Sequence, residues 1–220
     1  FPIYTMGVCA RPYFATTLAV KAGAEGVVLD GMQGGTAATQ DVFIEHVGQP
    51  ILACIREAVR ALQDLGMHRE VQLVVSGGVR TGADVAKCMA LGADAVAIGT
   101  AALIALGDND PRWEDEYQKL GTTAGAYDEW HEGKDPAGIT TQDPELMARF
   151  DPVEGGRRLN NYLKVMTLEA QTIARACGKN HLHNLEPEDL CALTMEAAAM
   201  AKIPLAGTDW YPGKPGTSFL

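Results

Sequence analysis

The sequence has little of what would mark a membrane-spanning or nucleic-acid-binding protein. No apolar run reaches the roughly 20 residues that a bilayer-spanning helix needs. Basic residues form no block, and 18 Lys and Arg face 28 Asp and Glu, for a formal net charge of -10. Nucleic acid is held through basic surface, so it is not an expected partner, and neither is a membrane. The five cysteines (Cys9, Cys54, Cys88, Cys177 and Cys191) include no C-x-x-C pair. Cys54, Cys88 and Cys191 fall in apolar helical patterns, which predicts reduced core thiols in a reducing, cytoplasmic compartment. His46, His68, His131, His181 and His183 show no metal-ligand spacing with acids or cysteines. The His181-x-His183 pair lacks a third ligand and reads as a capped helix end. What remains is a globular composition, 47% hydrophobic and 21% charged over 220 residues.

Against those absences, one stretch is rich in signal. The apolar run Val74-Val75 ends in Ser76-Gly77-Gly78, and a helix start of Thr-x-x-Asp type follows at Thr81 and Asp84. About twenty residues on, a second apolar run ends in Gly99-Thr100. A strand that stops at glycines exposes backbone N–H groups, and the next helix points its positive end at the same spot. Two such turns side by side form a phosphate grip. Read alone, they serve tight turn geometry equally well.

The surrounding pattern repeats strand and helix. Pro2 to Val8, Gly26 to Asp30, Val71 to Val75 and Ala93 to Ile98 read as strands. Phe14 to Ala22, Pro50 to Leu65, Thr81 to Leu91 and Thr100 to Leu106 read as the helices between and after them. The strands lack alternation, as buried parallel strands do. A long glycine-rich loop, Gly31 to Gln40, hangs from the C-terminal end of the second strand, where α/β folds bind ligands. Four units make half of an eight-fold barrel, and an open half exposes an unpaired strand edge on each side. The expected fold is therefore α/β, a (β/α)8 TIM-type barrel of which the chain supplies about the last four units, plus a C-terminal helical extension. Expected boundaries are 1–108 for the half-barrel, 109–150 for an irregular segment and 151–220 for the extension. Two long helices are expected in that extension, Gly156 to Cys177 and Glu186 to Met200. Arg157-Arg158 near a helix start opposes the helix dipole and calls for a neighbouring acid or a partner.

The order of motifs resembles a known family. Gly31-Met32-Gln33-Gly34-Gly35-Thr36, then His46-Val47-Gly48-Gln49-Pro50, Ser76 to Gly82, Ile98-Gly99-Thr100, and Pro136 to Gln142 are similar, in order, to segments of the FMN-binding synthase domain of glutamate synthases. Those segments look like HDGGTGAS, KHAGLP, DGGLKTG, FGTAPL and PVGIATQ. Arg157 to Tyr162, Cys177 to His181 and Leu185 to Leu190 look most like the large synthase-type subunit of N-methylglutamate synthase, also described as methylamine–glutamate N-methyltransferase. The match is to the C-terminal half of that subunit.

The resemblance implies FMN, with its phosphate held by Gly77, Gly78, Gly99 and Thr100 and with Arg80 close to it. Gln33, Gly34, Gly35 and Thr36 would line the flavin and a 2-oxo-acid site. It implies a glutamate synthase-type oxidoreductase in which an imine of 2-oxoglutarate, formed from ammonia or methylamine, is reduced to glutamate or an N-methyl amino acid. Amidotransferase-type partner subunits and a homo- or hetero-oligomer are implied as well. Catalytic residues remain unassigned. Two positions depart from the family. Its 3Fe–4S cysteines fall at Asp135, Trp130 and about Ala124, none of which can replace a thiolate, so no iron–sulfur cluster is expected from this chain. Its first-strand lysine falls at about Thr5-Met6. A non-catalytic barrel subunit is the alternative those losses suggest. An IMP dehydrogenase-like barrel would share the glycine turns but needs a catalytic cysteine loop that the sequence does not show.

Overall fold

The computed structural model describes residues 1–7, 11–34, 46–120 and 133–214. Four parallel strands form one sheet in the order β1-β2-β3-β4, each beside its successor in the chain. These are β1 (Ile3–Gly7), β2 (Gly26–Asp30), β3 (Gln72–Ser76) and β4 (Ala95–Val96). Helices α1 (Pro12–Lys21), α2 (Ile51–Asp64) and α3 (Gly82–Ala90) lie between them in the chain. Sequential order in a parallel sheet is the winding of a β/α barrel. Among the described residues, β1 pairs only with β2 and β4 only with β3. The two free edges expected of a partial barrel are thus present.

The core follows from strands buried on both faces. Val27, Leu29, Leu73 and Val75 are fully enclosed. On α2 the apolar stripe turns inward, burying Ile51, Cys54, Ile55, Ala58, Val59 and Leu62. Tyr13 ties α1 to α2 by donating its hydroxyl to Asp64 (2.7 Å), and the Arg60 guanidinium lies over the Tyr13 ring. Cys88 sits in the core, and burial pushes its thiol up to about 11.

Several expectations need correction. β4 is two residues long where Ala93 to Ile98 was expected, and the Asp94 and Ala97 amides extend its bonding to β3 by one step at each end. The first long helix starts earlier, at Pro152, and runs to Ala176. Asp151 accepts the Val153 and Glu154 amides and starts it. Gly155, easily read as a break, lies inside because a Cβ there would meet the Phe150 ring at 2.6 Å. Arg157 and Arg158 find their acid on the same helix, in Glu154.

The second long helix does not form as one piece. Pro187–Asp189 is a single 3-10 turn, and a short helix, Met195–Ala201, starts afresh at a Thr194 cap. Between them Ala192 runs extended, bonded on both sides to the 204–206 segment. Cys191 is consequently exposed rather than a core thiol. Leu190 still reaches the cluster of Ala86, Ala90, Ala174 and Leu185.

The chain divides into two compact units, one of 1–33, 48–97 and 168–220, the other of 34–47 and 98–167. No helix among the described residues is long and apolar enough to cross a membrane. Truncating Leu73 to Ala should cost about 2–5 kcal/mol, the range for emptying a packed leucine site. Chemical denaturation of the variant checks it.

Candidate functional site

In the first unit, the C-terminal ends of β2 and β3 build a narrow corner. Asp30 and Ser76 stand opposite one another in register, and the serine hydroxyl donates to the carboxylate at 2.5 Å. The Gly31 amide extends the ladder by one step, donating to the Ser76 carbonyl. Past that point β3 turns through Gly77 (φ +116°) and Gly78 (φ +71°). Both glycines are required twice over, by angle and by space. A Cβ at Gly77 would sit 3.1 Å from the Gly31 backbone, and one at Gly78 would sit 2.8 Å from the Gln33 Cβ.

The turn has the form of an anion nest. Among the described residues, the amides of Gly77, Gly78 and Val79 donate to no acceptor. The amides that follow are already used. Those of Arg80 and Thr81 donate to Asp84, and that of Gly82 donates to Glu169 at 2.7 Å. The start of α3 is thus capped by two carboxylates. The anion-binding capacity expected of turn and helix together resides in the glycine turn. Glu169 lies 87 residues away in sequence, and no local pattern announces its role. The hydrogen bonds from Arg80 and Thr81 hold the Asp84 carboxyl below its ordinary value against the opposing effect of burial.

Gln33 is exposed at the same corner. Its carbonyl accepts the Ile51 amide (3.1 Å), so it supplies a cap that Pro50, which lacks a side-chain acceptor, cannot give α2. With that oxygen engaged, the side-chain NH2 is the group Gln33 can offer a ligand.

Residues Gly34, Gly99 and Thr100 belong to the second unit. There a short helix, α4 (Thr100–Leu106), opens at Gly99 with no side-chain cap. Gly35 and Thr36 lie outside the described residues, as do Trp130, His131 and position 124.

Asp135 is the unexpected centre of the second unit. It is fully buried. Its Oδ1 accepts from the Tyr117 hydroxyl (2.7 Å) and the Ala137 amide, and its Oδ2 accepts from the Ile139 and Thr140 amides, both at 2.8 Å. The three amide bonds fold the Pro136 to Thr141 loop around one carboxylate, and the Tyr117 hydroxyl donates the fourth. The Tyr117 hydroxyl also contacts Asp108, whose carboxyl is raised by burial and by the charge of Asp135. Arg149 closes the far side, stacked 4.4 Å over Trp113 and bonded to Glu116 and the Pro136 carbonyl. A carboxylate with all its lone pairs committed does not fit the role of a cluster ligand. Among the described residues, no three His, Cys, Asp or Glu side chains gather as a metal-binding group. His181 instead accepts the His183 amide and caps a 3-10 turn.

Known proteins show which family the chain belongs to. The model of the conserved region in glutamate synthase matches residues 6–113 and 123–180. The chain belongs to the glutamate synthase family. It is 84% identical, over 97% of its length, to the glutamate synthase large subunit-like protein of Rhizobium meliloti. It is 41% identical, over 74% of its length, to the archaeal glutamate synthase [NADPH] of Methanocaldococcus jannaschii. The chain spans 48% of the first relative and 29% of the second. Among solved structures, a mutant flavocytochrome b2 with benzoylformate superimposes with a TM-score of 0.51 at 19% identity, covering 86% of this chain and 34% of that one. The fold is therefore the TIM-type barrel, present in part.

Two outcomes follow. Gly78→Ala should destabilise by at least ~1–2 kcal/mol, the cost of a left-handed Cβ, before any clash with Gln33; thermal denaturation reads this. Folded Asp108 keeps its proton to higher pH than it would unfolded. Stability should therefore fall as pH rises from the ordinary carboxylate value through the raised folded value. Asp108→Asn, which keeps an oxygen for Tyr117, should flatten that slope in denaturation curves taken across the acid range.

Proposed function

We propose that the chain supplies the phosphate end of an FMN site in a glutamate synthase-type oxidoreductase. The observation that carries this is the turn of three successive amides at Gly77, Gly78 and Val79 that donate to no acceptor among the described residues, set at the C-terminal end of a barrel strand. The residues fit a phosphate. The nest supplies donors, neither glycine has room for a Cβ against Gly31 and Gln33, and Arg80 follows the turn directly in the chain. Gly99 and Thr100 would add the amides of an uncapped helix start and a hydroxyl. Gln33, with Gly34, Gly35 and Thr36, would face the ring and a 2-oxo acid. When bound, FMN supplies hydride transfer; the chain's own part is to hold the phosphate and to offer the Gln33 amide to the substrate.

Within that family, the reading extends to the N-methylglutamate synthase type, acting on 2-oxoglutarate or glutamate with ammonia or methylamine. It rests on the motifs at Arg157 to Tyr162 and Cys177 to His181. On the same basis residues 1–108 form the C-terminal half of the barrel, residues 151–220 extend it, and amidotransferase-type subunits deliver the amine in the cytoplasm. The second reading, a barrel subunit without catalysis, is favoured by one observation: Asp135, at a position the resemblance gives to a cluster cysteine, serves as a loop anchor.

Absorbance of the purified whole protein separates them. A flavin spectrum that bleaches with glutamate and methylamine supports the first; a colourless protein that takes up no added FMN removes it. Arg80→Ala should weaken FMN binding about tenfold, or ~1.4 kcal/mol, with the fold intact. Flavin fluorescence titration measures this.

A further inference from the structure

The opposite ends of β3 and β4 carry a second site. A cleft of about 400 Å³ opens there, within the range of roughly 300–1,000 Å³ typical of small-molecule sites. Its lining comes from α2, from the 68–69 turn that leads into β3, from the end of α3, and from the 183–188 segment. All of these belong to the first unit.

The charges around this cleft are unusual. Arg56 and Arg69 line it, and so do Asp94, Glu186 and Glu188. Asp94 is already engaged, accepting the Leu73 amide at 2.7 Å. Yet among the described residues none of the five is in an ion pair. Arg56 touches only a carbonyl, that of Leu91, and its Nε is buried without an acceptor. A guanidinium in that state is costly unless something anionic reaches it. Arg69 adopts a left-handed backbone (φ +69°), where glycine would fold at lower cost. The chain thus keeps a strained arginine at the mouth of a cleft, with no protein partner for it. His68, beside it, is held below its usual value by burial and by the charges of Arg69 and Arg56, so it adds no third cation near neutral pH. The cleft is also lined by Val59, Met89 and Leu185, all buried apolar side chains.

We propose that this cleft binds a free α-amino acid with a neutral side chain. The carboxylate meets Arg56 and Arg69, the ammonium meets Glu186 and Glu188, and the side chain lies on the apolar lining. Two arginines on one side and two glutamates of the 183–188 segment on the other, none of them ion-paired among the described residues, complement a zwitterion, while Asp94 is engaged by the Leu73 amide. A simple anion would face the glutamates, and a simple amine would face the arginines. The site lies at the other end of β3 from the Gly77–Gly78 turn and does not depend on the flavin reading.

The test is calorimetric titration of the whole protein with L-leucine, L-methionine and L-glutamine. Their 2-oxo acids and decarboxylated amines serve as controls. At least one neutral amino acid should bind saturably, with analogues lacking either charge at least ten times weaker. Arg69→Gly relieves backbone strain, so its thermal stability should not fall, yet its affinity should drop at least tenfold. Glu188→Gln, an exposed change, should act alike. No saturable binding up to about 10 mM, roughly ten times the dissociation constant of a millimolar site, overturns the proposal. So does binding that survives both Arg69→Gly and Glu188→Gln.

Discussion

The close approach of the turn after β3 to the turn after β2 governs the candidate site. Gly77 lies over the Gly31 backbone, and Gly78 lies against the Gln33 side chain. That contact is possible only because neither glycine carries a Cβ and both take positive φ. It directs the amides of residues 77–79 away from the ladder. It also places Gln33 where its carbonyl can start α2. The same glycines therefore create the anion nest and lock one wall of the corner. The Asp30–Ser76 pair fastens the two strands just beneath.

Carboxylates carry the rest of the organisation. Asp84 and Glu169 fill the start of α3, so that helix competes with the nest for no ligand. Asp135 gathers a loop that has no regular secondary structure of its own, with four bonds to one buried group. A single Asp thus supplies much of that loop's local order. In an acidic chain, these residues are structural parts with named donors rather than a solvated surplus.

Much of this was legible in the residues. The parallel winding, the glycine turn and the Thr81–Asp84 capping box follow from local signals, since strand burial, positive φ and caps each act within a few residues. Glu169 at Gly82 and Asp135 under its loop were not legible, because the partners lie far apart in sequence or are backbone amides that any residue could supply. The apolar spacing of Leu190, Leu193, Ala197 and Met200 suggested a helix. Thr194 capping and the pairing of Ala192 with 204–206 overrode it, leaving Leu193 at the surface. At Arg69 the sequence showed an ordinary arginine; only the backbone angle shows the strain.

On the proposed function, the Gly77–Val79 amides hold a phosphate rather than merely shape a turn. Comparing FMN with riboflavin, which lacks the phosphate, on the whole apoprotein tests it most directly. Each charge-assisted bond contributes about 1.5–3 kcal/mol, so riboflavin should bind at least ~100-fold more weakly, a gap of roughly 2.8 kcal/mol. Equal affinity for the two flavins, or no affinity for either, would contradict the account.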